Sequence, residues 1–284
     1  MLLSEVKDAG DLTVIREGAF DSLGFLDLDE PNMLVCWYDE DFLEMLLGNK
    51  DVTCVITREA FVDRVPDHLG VALAERPMWA LFAIHEYLIQ KRYYWTDFDT
   101  EVAPDAVIHP TASIAPKNVR IGSGSTIMPN ATILEHTIIG KNVWIGPGTV
   151  VAAAGFHFEH AEDKLVPIPH AGGVKIEDNV AMLANVCISK HLFGGFTEIG
   201  EYTALDNLVN VAHNVRIGKR CIIAAGAAVS GNCRIEDDVY IGPNATLTNS
   251  IAIGEKTQIA LGMTITRNVP AGTSYIRLAD RASK

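Results

Sequence analysis

The chain has 284 residues, of which 48% are hydrophobic and 21% charged, so it has the means to bury a core and is not an intrinsically disordered polymer. Its net charge of -13 comes with no run of Lys or Arg, which argues against nucleic acid and anionic membrane surfaces as partners. The five cysteines, Cys36, Cys54, Cys187, Cys221 and Cys233, are scattered without CxxC spacing and suggest neither a disulfide framework nor a zinc ribbon. The N-terminus has no basic segment followed by an apolar one, and no apolar run reaches membrane-spanning length, so a cytoplasmic protein is expected.

In chain order, MLVCWY (33–38) and VTCVIT (52–57) read as buried strands, with an amphipathic helix in DEDFLEMLLGN between them. Residues 76–94 read as a second helix, led by Pro77 in its first turn. These elements make residues 1–100 a small α/β domain. Pro104 and Pro110 mark the passage into a different architecture.

That architecture is a repeat. An aliphatic residue recurs at every sixth position in Ile199, Leu205, Val211, Ile217, Ile223, Val229, Ile235, Ile241, Leu247, Ile253, Ile259 and Ile265. The same beat runs through Val102, Ile108 and Ile114, shifts by one residue, and continues from Ile121 to Val151; Ile176, Met182 and Ile188 carry it onward. Six is a multiple of the strand period of two and not of the helical 3.6. Short strands joined by tight corners would send one aliphatic inward per side, and three sides close a triangular coil. Stacked coils would pair their backbones at about 4.8 Å and bury a column of Ile and Val, with about eight coils in all. Glycine often follows the aliphatic, as at Gly122, Gly140, Gly200 and Gly218, and is expected to relieve the backbone at corners. Cys221 and Cys233 fall at small inward positions and are expected in the core. The fold class is therefore mainly β, a parallel β-helix over residues 101–270, followed by a short tail at 271–284.

The beat fails twice, at 155–173 (GFHFEHAEDKLVPIPHAGG) and at 189–198 (SKHLFGGFTE). A solenoid can expel a loop without losing its core, and such loops tend to gather on a functional face. The aromatic and His content of both breaks points to a pocket lid or a subunit contact.

The stretch GFHF…KLVPIPHAGGVKIEDNV, followed by LDNLVNVAHNVRIG, resembles the UDP-3-O-acylglucosamine N-acyltransferase (LpxD) family of hexapeptide-repeat acyltransferases. The strand, helix, strand and Pro-led helix of the N-terminal segment are similar as well, so the resemblance covers roughly residues 20 to 268. It implies a left-handed coil, a homotrimer with sites between subunits, no bound cofactor, and an acyl-CoA or acyl carrier protein (ACP) as the thioester co-substrate. It also implies that the N-terminal domain holds the nucleotide, by stacking on aromatics. Met78 stands where the family has Tyr, which leaves Trp37, Tyr38 and Trp79 as candidates. Two features depart from the family: Ser250 occupies the position of its second His, and the chain after Ile265 is short. A short tail of the form NVPAGT is more like that of CoA-dependent sugar acetyltransferases and tilts the expectation toward acetyl-CoA as donor in place of a long acyl-ACP.

Transfer from a thioester to an amine requires deprotonation of the amine, stabilisation of an oxyanion, and alignment of two substrates. His213, two residues after the inward Val211, is expected near a corner and facing out, which from spacing alone reads as a surface His; the resemblance of its AHNV segment implies that it is the general base, a role that suits an imidazole, whose unperturbed pKa is near 6.5. By the same resemblance Asp206 and Asn214 are its candidate helpers, and Asn207, His157, Phe156 and His191 candidate substrate contacts, while Asp206, Asn207 and Asn214 read equally as hydrogen-bonded corner residues. A backbone N–H of Gly231, one coil beyond His213, is the candidate oxyanion donor. His157, His160 and His170 invite a zinc reading, but their spacing matches no known ligand set and no metal is expected. The expected function is N-acyl transfer to a nucleotide-linked amino sugar for surface polysaccharide or lipopolysaccharide. The alternatives are a lipid A type enzyme using 3-hydroxyacyl-ACP, a metal-dependent β-helix carbonic anhydrase type, and a non-catalytic scaffold that binds a sugar nucleotide.

Overall fold

The computed structural model describes residues 1–161 and 163–275, and the remainder of the expected tail lies outside the described residues. By its contacts the chain divides into two compact units. The first comprises 1–96 together with 157–171 and 193–195; the second comprises 97–156, 172–192 and the residues from 196 onward. The central parts of both sequence breaks thus group with the N-terminal residues and not with the repeat.

The first unit is built on a five-stranded sheet. Its strands are β1 (Thr13–Arg16), β2 (Ser22–Leu23), β3 (Met33–Cys36), β4 (Val52–Thr57) and β5 (Gly70–Leu73), in the order β1-β5-β4-β3-β2. Only β1 is antiparallel to its neighbour. The expected strands at 33 and 52 are present, and their apolar runs are explained by burial of every residue of β3 and nearly all of β4. Helix α1 (Leu3–Gly10) packs on helix α3 (Pro77–Gln90), and a shorter helix α2 (Leu43–Gly48) links β3 to β4. Helix α1 and strands β1, β2 and β5 are short and carry no periodic signal long enough to have announced them.

The second unit is the β-helix, with the parallel pairing that the sixfold beat requires. Its strands form three faces of nine, eight and eight among the described residues. The first face stacks Ile108, Ile127, Ile145, Met182, Leu205, Ile223, Ile241 and Ile259. The second stacks Ile114, Ile133, Val151, Ile188, Val211, Val229, Leu247 and Ile265. The third stacks Val102, Ile121, Ile139, Ile176, Ile199, Ile217, Ile235 and Ile253. Every aliphatic of the beat from Ile121 to Ile265 is buried, and so are Cys221 and Cys233. Each such side chain contributes about 1.5–3 kcal/mol relative to exposure, set against the conformational entropy of ordering its coil.

The glycines after the aliphatics meet a different need from the expected one. None has a positive φ. They are places where stacked corners touch: a Cβ at Gly122 would fall on the Gly140 carbonyl, and one at Gly242 would lie 2.6 Å from the Leu261 nitrogen. The left-handed turn comes two residues later, three after most of the aliphatics from Ile121 to Ile259. Asn130, Asn142, Asn179, Asn185, Asn214, Asn232 and Asn244 sit there with φ between 53° and 60°. Asn tolerates this region better than other side chains, which explains its recurrence.

Gly242→Ala should therefore lower stability by about 1–3 kcal/mol in urea unfolding, because backbone and not a movable side chain blocks the new methyl. Gly48→Ala, at the end of α2 with nothing within 4 Å of its Cβ position, should be neutral or slightly stabilising.

Candidate functional site

In the second unit the chemistry-bearing residues gather on one edge, where the second face turns into the third. Both sequence breaks leave and rejoin the coil at this edge. The first lies between the strands Val150–Ala153 and Gly173–Ile176, the second between Cys187–Ser189 and Phe196–Ile199. His213 follows the strand Asn210–Val211 on the same edge and is half-buried. Parallel pairing of Val211 with Val229 brings Gly231 beneath it. The imidazole rests on this glycine: a Cβ there would lie 2.8 Å from Nε2, 3.1 Å from Cε1 and 3.2 Å from Cδ2. The Gly231 carbonyl accepts from the Ser250 N–H at 3.0 Å, whereas the Gly231 N–H makes no hydrogen bond among the described residues. The imidazole thus lies against the backbone of a residue whose N–H is unspent among the described residues.

The expected helpers are placed differently. Asp206 and Asn207 occupy the preceding edge, between the first and second faces, a full face away from His213 along the coil. The Asp206 carboxylate accepts from Asn207 N at 2.7 Å and from Asn207 Nδ2 at 2.8 Å, and Asn207 Oδ1 accepts from the Ala184 N–H at 3.0 Å. They close a corner, which corrects the assignment of Asp206 as the residue that orients His213. Asn214 is only 4% exposed, and its amide is engaged within the protein. Its Oδ1 accepts from Leu192 N at 2.7 Å, its Nδ2 donates to Asn232 Oδ1 at 2.9 Å, and its own N–H donates to Thr197 Oγ1 at 3.1 Å. It is a structural residue beside the candidate base and not a catalytic contact. His191 is likewise 1% exposed, and its carbonyl accepts from the Gly172 N–H at 3.0 Å. Phe156, by contrast, is 86% exposed.

On the third face a groove of about 410 Å³ is lined by Glu177, Glu198, Glu201, Arg216, Lys219 and Arg234, among others. Its charges of opposite sign pair with one another, as in Arg216–Glu198 at 3.9 Å and Lys219–Glu201 at 3.7 Å. Such exposed pairs hold a face together weakly and give no single sign for an anion or cation. Among the described residues no group of three His, Cys, Asp or Glu side chains could hold a metal ion, and no helix is long and apolar enough to cross a membrane.

In the first unit, aromatics and arginines cluster beyond the C-terminal ends of β3, β4 and β5, the edge at which open parallel sheets bind ligands. The Arg58 guanidinium lies 5.2 Å from the Tyr38 ring centre, and that of Arg76 lies 5.0 Å from the Trp79 ring centre at the start of α3. Both rings are partly exposed and remain candidates for a base or a sugar. Trp37 does not: it is 1% exposed, packed edge-on against Phe61, and belongs to the core.

His157 also has an internal role. Its ring stacks on Phe25 with centres 5.9 Å apart and meets Phe82 edge-on at 5.4 Å. Burial holds its pKa below the ordinary value, partly opposed by Glu159, whose carboxylate lies 3.4 Å from Nε2. The central residue of this cluster is His85, which no sequence motif singled out. It is fully buried on α3, with Nε2 2.8 Å from the Pro169 carbonyl and Nδ1 2.8 Å from the Tyr94 hydroxyl. A carbonyl only accepts, so Nε2 carries the proton and Nδ1 accepts from Tyr94. Phe193, from the second break, packs edge-on against both His85 and Phe25. Trp95 Nε1 donates to the Ala171 carbonyl at 2.9 Å. Residues 157–171 and 193–195 are thereby fastened to the N-terminal unit; between Phe158–Ala161 and Lys164–Pro167 the first of them forms a two-stranded antiparallel ribbon.

Comparison with known proteins agrees with this architecture. A family model described as bacterial transferase hexapeptide (six repeats) matches residues 118–153 and 196–231, and one described as hexapeptide repeat of succinyl-transferase matches 232–267. The chain is 34% identical over 152 residues to the UDP-3-O-acylglucosamine N-acyltransferase of Caulobacter sp. (strain K31), covering 54% of this chain and 44% of that protein. It is 37% identical over 154 residues to the protein of the same name from Methylorubrum populi, covering 54% and 42%. The matched region is thus less than half the length of these relatives. Among solved structures, a UDP-N-acetylglucosamine acyltransferase is 25% identical with a TM-score of 0.51, covering 61% of this chain and 67% of that one.

Burial lowers the His85 pKa to about 4, with the Pro169 carbonyl opposing. An unfolded imidazole titrates near 6.5, so the unfolded chain takes up the proton first as pH falls. The stabilisation from neutral His85 is complete above that value and is lost between about pH 6.5 and 4, amounting to up to roughly 3 kcal/mol. In urea unfolding monitored across that window, His85→Phe should flatten this part of the pH dependence while lowering stability at pH 7.5.

Proposed function

We propose, from its place among hexapeptide-repeat proteins similar to the UDP-3-O-acylglucosamine N-acyltransferases, that this chain moves an acyl group from a thioester onto the amine of a nucleotide-linked amino sugar. The observation that carries the reading is the His213 imidazole lying on Gly231, whose N–H is unspent among the described residues. His213 would take a proton from the attacking amine as its nitrogen bonds to the thioester carbon. The oxygen that becomes negative would accept from the Gly231 N–H. Collapse of the tetrahedral intermediate breaks the carbon–sulfur bond, and the thiolate leaves with the proton held by His213. No enzyme-bound intermediate is needed, since the thioester is already activated.

The name of the curated relatives supports a UDP-linked 3-O-acylglucosamine as acceptor, and with it the lipid A type reaction with a 3-hydroxyacyl-ACP donor, over the acetyl-CoA donor expected from the tail. Tyr38 and Trp79, each under an arginine, are the surfaces we assign to the nucleotide. The coil interior is filled by aliphatic side chains, so substrates must lie outside it. We assign them to grooves between the three copies of a homotrimer, in the cytoplasm where CoA and ACP thioesters are made.

Steady-state assays of thiol release, pairing 3-hydroxyacyl-ACP or acetyl-CoA with UDP-linked 3-O-acylglucosamine, test the reading. His213→Ala should lower kcat at least a hundredfold without changing the oligomer seen by sedimentation. Gly231→Ala should lower it roughly tenfold or more, because the new methyl displaces the imidazole. Nucleotide-sugar binding with no thiol release from any donor would instead identify a scaffold.

A further inference from the structure

We infer that Asn232 is a positioning residue that sets the spacing between the His213 imidazole and the Gly231 N–H; the inference rests on the roles proposed for those two residues. Asn232 follows Gly231 directly and grips the coil above at two points. Its N–H donates to the His213 carbonyl at 3.0 Å, and its Oδ1 accepts from Asn214 Nδ2 at 2.9 Å. A single residue therefore ties both 213 and 214 to the coil that supplies the oxyanion donor. The grip is braced on either side. Above, Asn214 Oδ1 takes the Leu192 N–H at 2.7 Å and the Asn214 N–H goes to Thr197 Oγ1 at 3.1 Å; below, Asn232 Nδ2 points to Ser250 Oγ at 3.4 Å. Side-chain hydrogen bonds thus run along this edge from the second sequence break, past the candidate base and donor, to the residue that stands where the resembling family has its second His.

Amide pairing by itself is common chemistry at hexapeptide corners. Asn142 Nδ2 donates to Asn179 Oδ1 at 3.3 Å on the edge between the third and first faces, where neither corner carries a His. The pair at 214 and 232 differs in being anchored to a backbone N–H and in lying on the rungs of His213 and Gly231. Reactions of this kind are sensitive to the placement of base and oxyanion donor, and a shift of 1 Å can cost about a hundredfold in rate.

The test uses the full chain and the donor–acceptor pair with the highest turnover. Asn232→Ala should lower kcat roughly tenfold to a hundredfold while both KM values stay within about twofold. Asn232→Asp, which keeps an oxygen to accept from Asn214, should recover most of that loss at the plateau of its pH profile. Asn179→Ala, which breaks the equivalent pair elsewhere, should lower the unfolding midpoint yet leave kcat within about twofold. If Asn232→Ala does not fold, Asn214→Asp serves instead: it keeps the acceptor for Leu192 and removes the donor to Asn232. Unchanged kcat in Asn232→Ala, or an equal loss in Asn179→Ala, overturns the inference. Wild-type protein inactive with every pair would sink the proposed function alone. The His213 ring-proton NMR titration then decides: a curve displaced by Asn232→Ala but not by Asn179→Ala supports the inference, and superimposable curves overturn it.

Discussion

Everything in the second unit depends on the close parallel stacking of coils, each of which must place three aliphatics inward and turn three corners in eighteen residues. Backbones paired at about 4.8 Å leave no room for error in register, since a slip of one residue would turn each inward aliphatic out to solvent. The register has a chemical consequence. Residues eighteen apart become neighbours wherever no loop intervenes, which is how His213 comes to rest on Gly231 and how Asn214 meets Asn232. The site is thus assembled by vertical contacts between coils more than by residues adjacent in sequence.

The corners show two solutions to crowding. One is the loss of a side chain where a stacked corner comes too close, as at Gly122 and Gly242. The other is a left-handed residue two positions on, more often Asn than any other residue, whose amide can bond up or down the stack. The same corner chemistry that holds a rod together becomes, at the edge of His213, a means of holding reactive groups in place. Where Leu208 and Tyr202 occupy the left-handed position, at φ 61° and 60°, the local conformation costs about 1–2 kcal/mol that the surrounding stack must hold.

The first unit places its chemistry by other means. A mainly parallel sheet presents Tyr38 and the Arg58 that follows β4 beyond its strand ends, and helix α3 begins with Arg76 and Trp79 nearby in sequence. His85, dry and neutral on the same helix, fastens the segment around Pro169 through a single well-defined tautomer. The histidines and aromatics of the two sequence breaks, which suggested a lid or a subunit contact from composition alone, divide between two uses: His157 and Phe193 are packing partners of Phe25, while Phe156, Phe158 and His160 are exposed.

The sixfold beat alone determined the parallel β-helix, its approximate number of coils and the columns of large aliphatics at its centre, because a period that is a multiple of two and incompatible with 3.6 points to short strands joined by corners. It also determined that His213 stands at a corner, and the buried runs at 33 and 52 announced two strands of the sheet. The use of each corner polar group was decided only by the folded structure. Asp206 caps its own turn, Asn214 is spent inside the edge, and Trp37 is core, while His85 and Asn232 acquire their roles from partners 84 and 18 residues away. A hydrogen bond is directional and short, so which donor meets which acceptor depends on register, loop length and burial together, and none of these is written in the spacing of aliphatic residues.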